Sequence, residues 1–218
     1  MLKRKFMFLA AIVIVFSLYT QQARAQSDDR KVEIGGQFSI LRVPSVTANV
    51  CADLCPPSFF TGDSSTEVGF GPRIGYNATS YLTLEAEMNF FPRDRDSEGG
   101  RKVQGLFGAK AGKRFEKAGI FAKARPGFVR FSRGDYQFST VGFQPVGKTN
   151  FAIDIGGVAE LYPSKNTIIR FDAGDTIIRF GPRNVAAAST TFPGLIVVFL
   201  AAETKHNLQL GVGFGFRF

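Results

Sequence analysis

The sequence has no tryptophan, one histidine and two cysteines among its 218 residues. These shortages exclude several chemistries. A zinc site needs three or four clustered nitrogen, sulfur or carboxylate ligands, and His206 lies far along the chain from Cys51 and Cys55, so no metal is expected. His206 stands in KHNL without a serine beside it, which leaves no histidine–serine pair for nucleophilic hydrolysis. The glycines of GFGPRIG have the wrong spacing for a dinucleotide site, and no cofactor is expected. No basic stripe carries interleaved stacking aromatics, so nucleic acid is not an expected partner.

Two structural signals are also missing. After Gln26 no stretch repeats its apolar residues at helical spacing. Nor is there an apolar run of the roughly 20 residues that a membrane-spanning helix needs. The run FMFLAAIVIVFSLY at 6–19 follows Lys3, Arg4 and Lys5 and precedes the small-x-small triplet ARA at 23–25. That order reads as a signal peptide over 1–25, with cleavage expected before Gln26. Residues 26–218 then form one domain, long enough for a real core. Four of the cations behind the formal charge of +9 belong to the leader, and the remaining modest excess suits an anionic membrane surface among other partners. In an exported chain Cys51 and Cys55 are expected to close a small disulfide loop that braces a connection.

What the sequence does contain is alternation. In KHNLQLGVGFGFRF (205–218) every second residue from Leu208 is apolar, the mark of a strand with two different faces. Seven more such segments occur, near 32–43, 66–77, 81–92, 102–113, 118–131, 149–162 and 166–180. TIIRF occurs at 167–171 and again at 176–180, a local similarity within one strand. The connections after the second, fourth and sixth segments are short, at Ala78–Ser80, Arg114–Lys117 and Pro163–Lys165. Those near 44–65, 93–101, 132–148 and 181–204 are longer. A meander with this rhythm gathers the short turns at one end and the long loops at the other, as outer-membrane barrels do.

Alternation alone leaves two arrangements open. A soluble lipocalin-like barrel would turn the apolar face inward; a transmembrane barrel would turn it outward. Three features favour the second. The polar face is rich in glycine, including Gly35, Gly71, Gly108, Gly156 and Gly213, which suits a narrow interior holding large side chains. Its charges nearly balance: Glu33, Glu85, Glu87, Asp154, Glu160 and Asp172 face Arg73, Lys110, Lys123, Arg125 and Arg170. Buried charges require such pairing. Aromatics fall where two interfaces would lie: Tyr76, Tyr81, Tyr162 and Phe218 at one end, Phe70, Phe90, Phe128 and Phe151 toward the other. The expected fold is therefore all-β, an eight-stranded antiparallel up-and-down transmembrane β-barrel after a cleaved signal peptide. These charges are expected to form a lumen network. A three-residue hairpin loop at Ala78–Ser80 would place Arg73 opposite Glu85. Asp175 has outward parity, which predicts either a position near an interface or a bulge.

The terminal GFGFRF resembles the last strand of Gram-negative outer-membrane β-barrels, where alternating apolar residues lead to a final phenylalanine. Leu210, Val212, Phe214, Phe216 and Phe218 match that pattern. Strand number, loop rhythm and leader extend the resemblance across the mature chain, to the small barrels that include the OmpA transmembrane domain, OmpX and OmpW. The resemblance implies a Gram-negative outer membrane, contact with its lipid and lipopolysaccharide, and recognition of the last strand by the outer-membrane assembly machinery. It does not imply a peptidoglycan-binding domain. Three functions are weighed. The leading one is a non-enzymatic scaffold displaying long loops to a surface partner of unknown identity. The alternative is a small-solute channel of OmpW type, against which the charged interior speaks. Catalysis is not expected, since Glu85 and Glu87 among several cations are more simply structural. The apolar segment PGLIVVFLAA (193–202) is read as an extension of the last strand, a lipid contact or a partner patch.

Overall fold

The computed structural model describes residues 30–43, 46–49, 59–62, 64–95, 99–188 and 195–218. In chain order the strands are β1 (Val32–Val43), β2 (Val46–Asn49), β3 (Phe59–Gly62), β4 (Ser65–Asn77), β5 (Leu82–Phe91), β6 (Lys102–Arg114), β7 (Ala118–Ser139), β8 (Gly142–Leu161), β9 (Thr167–Phe180), β10 (Arg183–Ala188), β11 (Leu195–Leu200) and β12 (Glu203–Arg217). Eight of them close a barrel in the order β1-β12-β9-β8-β7-β6-β5-β4. The pairs β2–β3 and β10–β11 are separate two-stranded ribbons. All pairings are antiparallel. The leader over 1–25 with its cleavage site, and Cys51 with Cys55, lie outside the described residues.

Alternation decides which way each strand faces. Phe38, Phe107 and Ile120 point outward with 67%, 63% and 66% of their surface exposed, whereas Arg170, Lys110 and Glu160 point inward at 0%. A soluble barrel would reverse this. Closure comes from β1 meeting β12, from Glu33↔Arg217 to Leu41↔Gln209. The final residue is held as well: Phe218 N donates to Val32 O at 2.9 Å, and Val32 N to Phe218 O at 3.2 Å. Every backbone group in hydrocarbon must find such a partner, and a closed ladder supplies them without an edge.

Several expectations need correction. Arg73 pairs across the sheet with Glu87, and Glu85 with Gly75, because the β4–β5 connection begins after Asn77 and resumes pairing at Thr83. The turn is two residues longer than Ala78–Ser80; Thr79 N bonds to Leu82 O at 3.1 Å and ties it. The connection expected at 132–148 is largely strand. The pairing of β7 and β8 continues past a register shift between Phe131 and Asp135 and ends at Ser139↔Gly142. Gly142 turns the tip with φ at 102°, a conformation that favours glycine. The described part of 193–202 does not extend the last strand: β11 folds back on β10, from Arg183↔Leu200 to Ala188↔Leu195. Tyr162 turns into the lumen instead of joining an aromatic girdle, and is 8% exposed. Asp175 marks no bulge; β9 pairs continuously with β12 through Leu208↔Asp175.

The two TIIRF copies show how strictly parity governs. They lie an odd number of positions apart in β9, so they present opposite faces. Arg170 of the first copy is buried, while Arg179 of the second is exposed.

Inward glycines let the strands coil tightly. A Cβ on Gly71 would stand 1.7 Å from Met88 O, whereas one on outward Gly157 would meet nothing nearer than Phe121 O at 3.9 Å. Gly71→Ala should therefore cost about 1–3 kcal/mol of stability through forced backbone shifts. Gly157→Ala should leave the urea midpoint of refolded barrel in lipid vesicles unchanged. Equal midpoints for the two variants would contradict the tight inward packing.

Candidate functional site

The lumen is built in layers, because successive inward positions along each strand alternate with lipid-facing ones. At the short-turn end, Phe121, Val158, Ile168 and Tyr162 form a buried apolar floor. Cations rest on it: Lys110 Nζ lies 4.9 Å from the Phe121 ring centre, and the Arg217 guanidinium 4.6 Å from that of Tyr162. Tyr162 Oη donates to Glu160 Oε2 at 2.8 Å.

Above the floor sit the charges. Arg170 is the hub. Its Nε donates to Asp172 Oδ2 at 2.6 Å, and its Nη2 to Asp172 Oδ1 at 2.8 Å and Glu85 Oε2 at 3.0 Å; Nη1 also holds Glu85. Lys110 Nζ joins Glu33 at 3.1 Å and Glu85 at 3.2 Å, and contacts Glu160. Arg125 grips Asp154 Oδ2 through Nε at 3.0 Å and Nη2 at 2.5 Å, and pairs with Glu87. Lys123 bridges Asp154 at 2.9 Å and Asp172 at 3.1 Å. Arg73 is held least closely, with Nη1 3.6 Å from Glu85.

One cation of this layer escaped the sequence reading. Arg114 was placed in a turn, yet it shares the inward parity of Lys110 and Gly112. Its Nη2 reaches Glu33 Oε1 at 3.0 Å and Asn77 Oδ1 at 2.5 Å. With Arg114 included, the six cations Arg73, Lys110, Arg114, Lys123, Arg125 and Arg170 stand among the six carboxylates Glu33, Glu85, Glu87, Asp154, Glu160 and Asp172, with Arg217 below them on the floor.

Toward the long-loop end the charges give way to amides. Gln37 Nε2 donates to Asn89 Oδ1 at 2.9 Å, Asn89 Nδ2 to Gln104 Oε1 at 2.9 Å, and Gln104 Nε2 to Gln209 Oε1 at 2.9 Å. Asn89 Nδ2 also bonds to Glu87 at 2.6 Å and so couples the two layers. Beyond them lie the buried pair Lys102–Glu67 at 3.0 Å and an apolar lid of Val129, Phe131, Ala152, Ile178 and Phe180. The lid and floor residues are apolar yet share the inward parity of the charges, so a division into one apolar and one polar face does not find them.

Outside the lumen, His206 Nδ1 lies 2.5 Å from Asp175 Oδ2, and Asp175 Oδ1 accepts from Asn207 N at 3.0 Å. This exposed pair explains the outward Asp175. At the loop rim, Arg183 Nη2 donates to Glu203 Oε1 at 2.7 Å and fastens β10 to β12. Burial pushes the Glu203 carboxyl up, but hydrogen bonds from Lys205 and Arg183 outweigh it and hold the group below its ordinary value.

An outward apolar wall around a closed charged interior defines a membrane-spanning β-barrel. Sequence comparison is more specific: residues 8–218 match the outer membrane protein beta-barrel domain family, and the chain belongs to it. No curated protein matches. Among solved structures, the chain is similar to Neisserial surface protein A at 12% identity, covering 86% of this chain and 97% of that one with a TM-score of 0.49. It is similar to the N-terminal barrel of Pseudomonas aeruginosa OprF at 12% identity, 87% and 98% coverage, and a TM-score of 0.44. Ail of Yersinia pestis gives 12%, 86%, 99% and 0.41.

Removing one partner from a buried ion cluster strands the others at a cost of about 3–5 kcal/mol. Arg170→Met should lower the urea midpoint in lipid vesicles by that order. Arg73→Leu, losing only a long contact, should lower it less. The reverse ranking would show that Arg170 is not the hub.

Proposed function

We propose that this protein is a non-conducting scaffold of the outer membrane whose long loops meet other molecules at the cell surface. The observation that carries this reading is the filled cross-section. Arg170, Arg125 and Lys110, each at most 1% exposed, are tied to carboxylates from several strands, with apolar residues above and below them. Eight strands leave an interior just wide enough for side chains. A solute would have to break several coupled ion pairs at once.

The loop side supports a contact role. The β7–β8 hairpin carries Phe138 and Val141 at its tip, both 79% exposed, and Phe138 packs edge-on against Phe143 at 5.6 Å. Aromatic groups held out in this way are suited to protein contact. In the same reading, residues 1–25 are an export signal removed before Gln26, and Cys51–Cys55 brace the first long loop. Leu210, Val212, Phe214, Phe216 and Phe218 form the strand that the assembly machinery receives.

Planar-bilayer recording tests the proposal. The purified barrel should give no discrete conductance steps, while the Arg170→Met and Arg125→Met double variant, if folded, should show leak events. Reproducible unitary conductance from the unmodified protein would overturn the scaffold reading in favour of a narrow channel for small polar solutes.

A further inference from the structure

Among the described residues, the outer wall holds a groove that neither the lumen network nor the loops explain. It is an open depression of about 200 Å³, lined by Phe90 of β5, Arg101 beside β6, Val103 of β6, and Arg130 and Ser132 of β7. The register places these residues together: Val103 faces Arg130, and Phe90 faces Val103. Ser132 N also donates to Arg101 O at 2.8 Å, which continues the ladder upward. All lie on the lipid-facing side near the long-loop end, where the apolar band gives way to water.

The groove is divided chemically. Its lower part is apolar, with Phe90 and Val103 continued by the edge-on contact of Phe90 with Phe70 at 6.0 Å. Its upper part carries two guanidinium groups. Both are weakly engaged. Arg101 Nε stands 3.6 Å from Asp94 Oδ2, a carboxylate shared with Arg133 at 3.7 Å. Arg130 Nη1 reaches Thr149 Oγ1 only at 3.5 Å. Ser132 Oγ is covered and has no hydrogen-bond partner among the described residues. Two arginines above an apolar floor, on the outer wall toward the long-loop end, match an amphiphile with an anionic head and an acyl tail. The planar guanidinium donors suit phosphate oxygens in particular.

We propose that this groove binds one phosphorylated acyl lipid of the outer leaflet, its phosphate between Arg101 and Arg130 and its chain along Phe90 and Val103. Asp94 competes with the phosphate for Arg101 and so limits affinity. The proposal rests on the membrane placement of the barrel and is independent of whether the lumen conducts.

Native mass spectrometry of the folded, detergent-solubilised protein tests it, with bisphosphorylated lipid A and the same lipid after removal of its phosphates as probes. The unmodified protein should retain one phosphorylated lipid at least about tenfold more than the dephosphorylated one, the scale set by a single charge-assisted contact. R101Q/R130Q should lose that preference. R42Q, on the same rim but on β1, should keep it, and D94N should strengthen it. Millimolar inorganic phosphate should not displace the lipid. Equal retention of the two lipids by the unmodified protein would overturn the proposal without recourse to any variant. An equal loss in R42Q would reduce the site to a general basic rim, and displacement by inorganic phosphate would assign the groove to a free anion.

Discussion

The structure depends on one constraint: a charge inside a narrow barrel must find its counter-charge there. Removing an ion from water costs several kcal/mol, and only close, hydrogen-bonded partners offset it. Arg170 meets this demand with Glu85 and Asp172, and Arg125 with Glu87 and Asp154. Because the partners come from different strands, the network also fixes how the strands sit around the axis. Glu85 of β5 reaches Arg170 of β9 and Lys110 of β6; Asp154 of β8 reaches both Lys123 and Arg125 of β7. A register slip in one strand would turn its charges into lipid and strand their partners.

The outer face follows from the inner one. Since the polar residues are consumed inside, alternation delivers phenylalanine, isoleucine, leucine and valine to the lipid without a separate design. Glycines on the inner face leave room for the arginines and let the backbones coil. The ladder closes through β1 and β12, so the barrel sheet itself has no edge strand, and Phe218 is hydrogen-bonded to Val32. The same arrangement accounts for the groove at Arg101 and Arg130, where the outward pattern changes from apolar to basic at the end of the band.

Much of this could be read from the chain, for a physical reason. Period-2 alternation is a local signal, and six of the eight barrel strands begin and end within two residues of where it does, β7 and β8 being the exceptions. The parity of Arg170 or Glu85 needs no tertiary information. What escaped depended on details that parity does not carry. The β4–β5 turn is two residues longer than Ala78–Ser80, so the sheet pairs Arg73 with Glu87 and not with Glu85. Phe131, Ile178 and Phe180 have the parity of the charges, and only the closed barrel shows that they cap them. Arg114 is the last residue of β6, one position past the alternating segment that ends at Lys113, so alternation does not reach it. The long β7–β8 hairpin was hidden by the register shift between Phe131 and Asp135, which interrupts a single alternating pattern.

The central claim is that the apolar face meets lipid and the charged face fills the interior. The absence of tryptophan makes the claim easy to test, since one introduced indole is the only one present. Phe107→Trp, at a position 63% exposed on the outer wall, should emit at short wavelength in lipid vesicles and be quenched by lipids brominated along their chains. Long-wavelength emission that responds to aqueous acrylamide and ignores the brominated lipids would contradict the account.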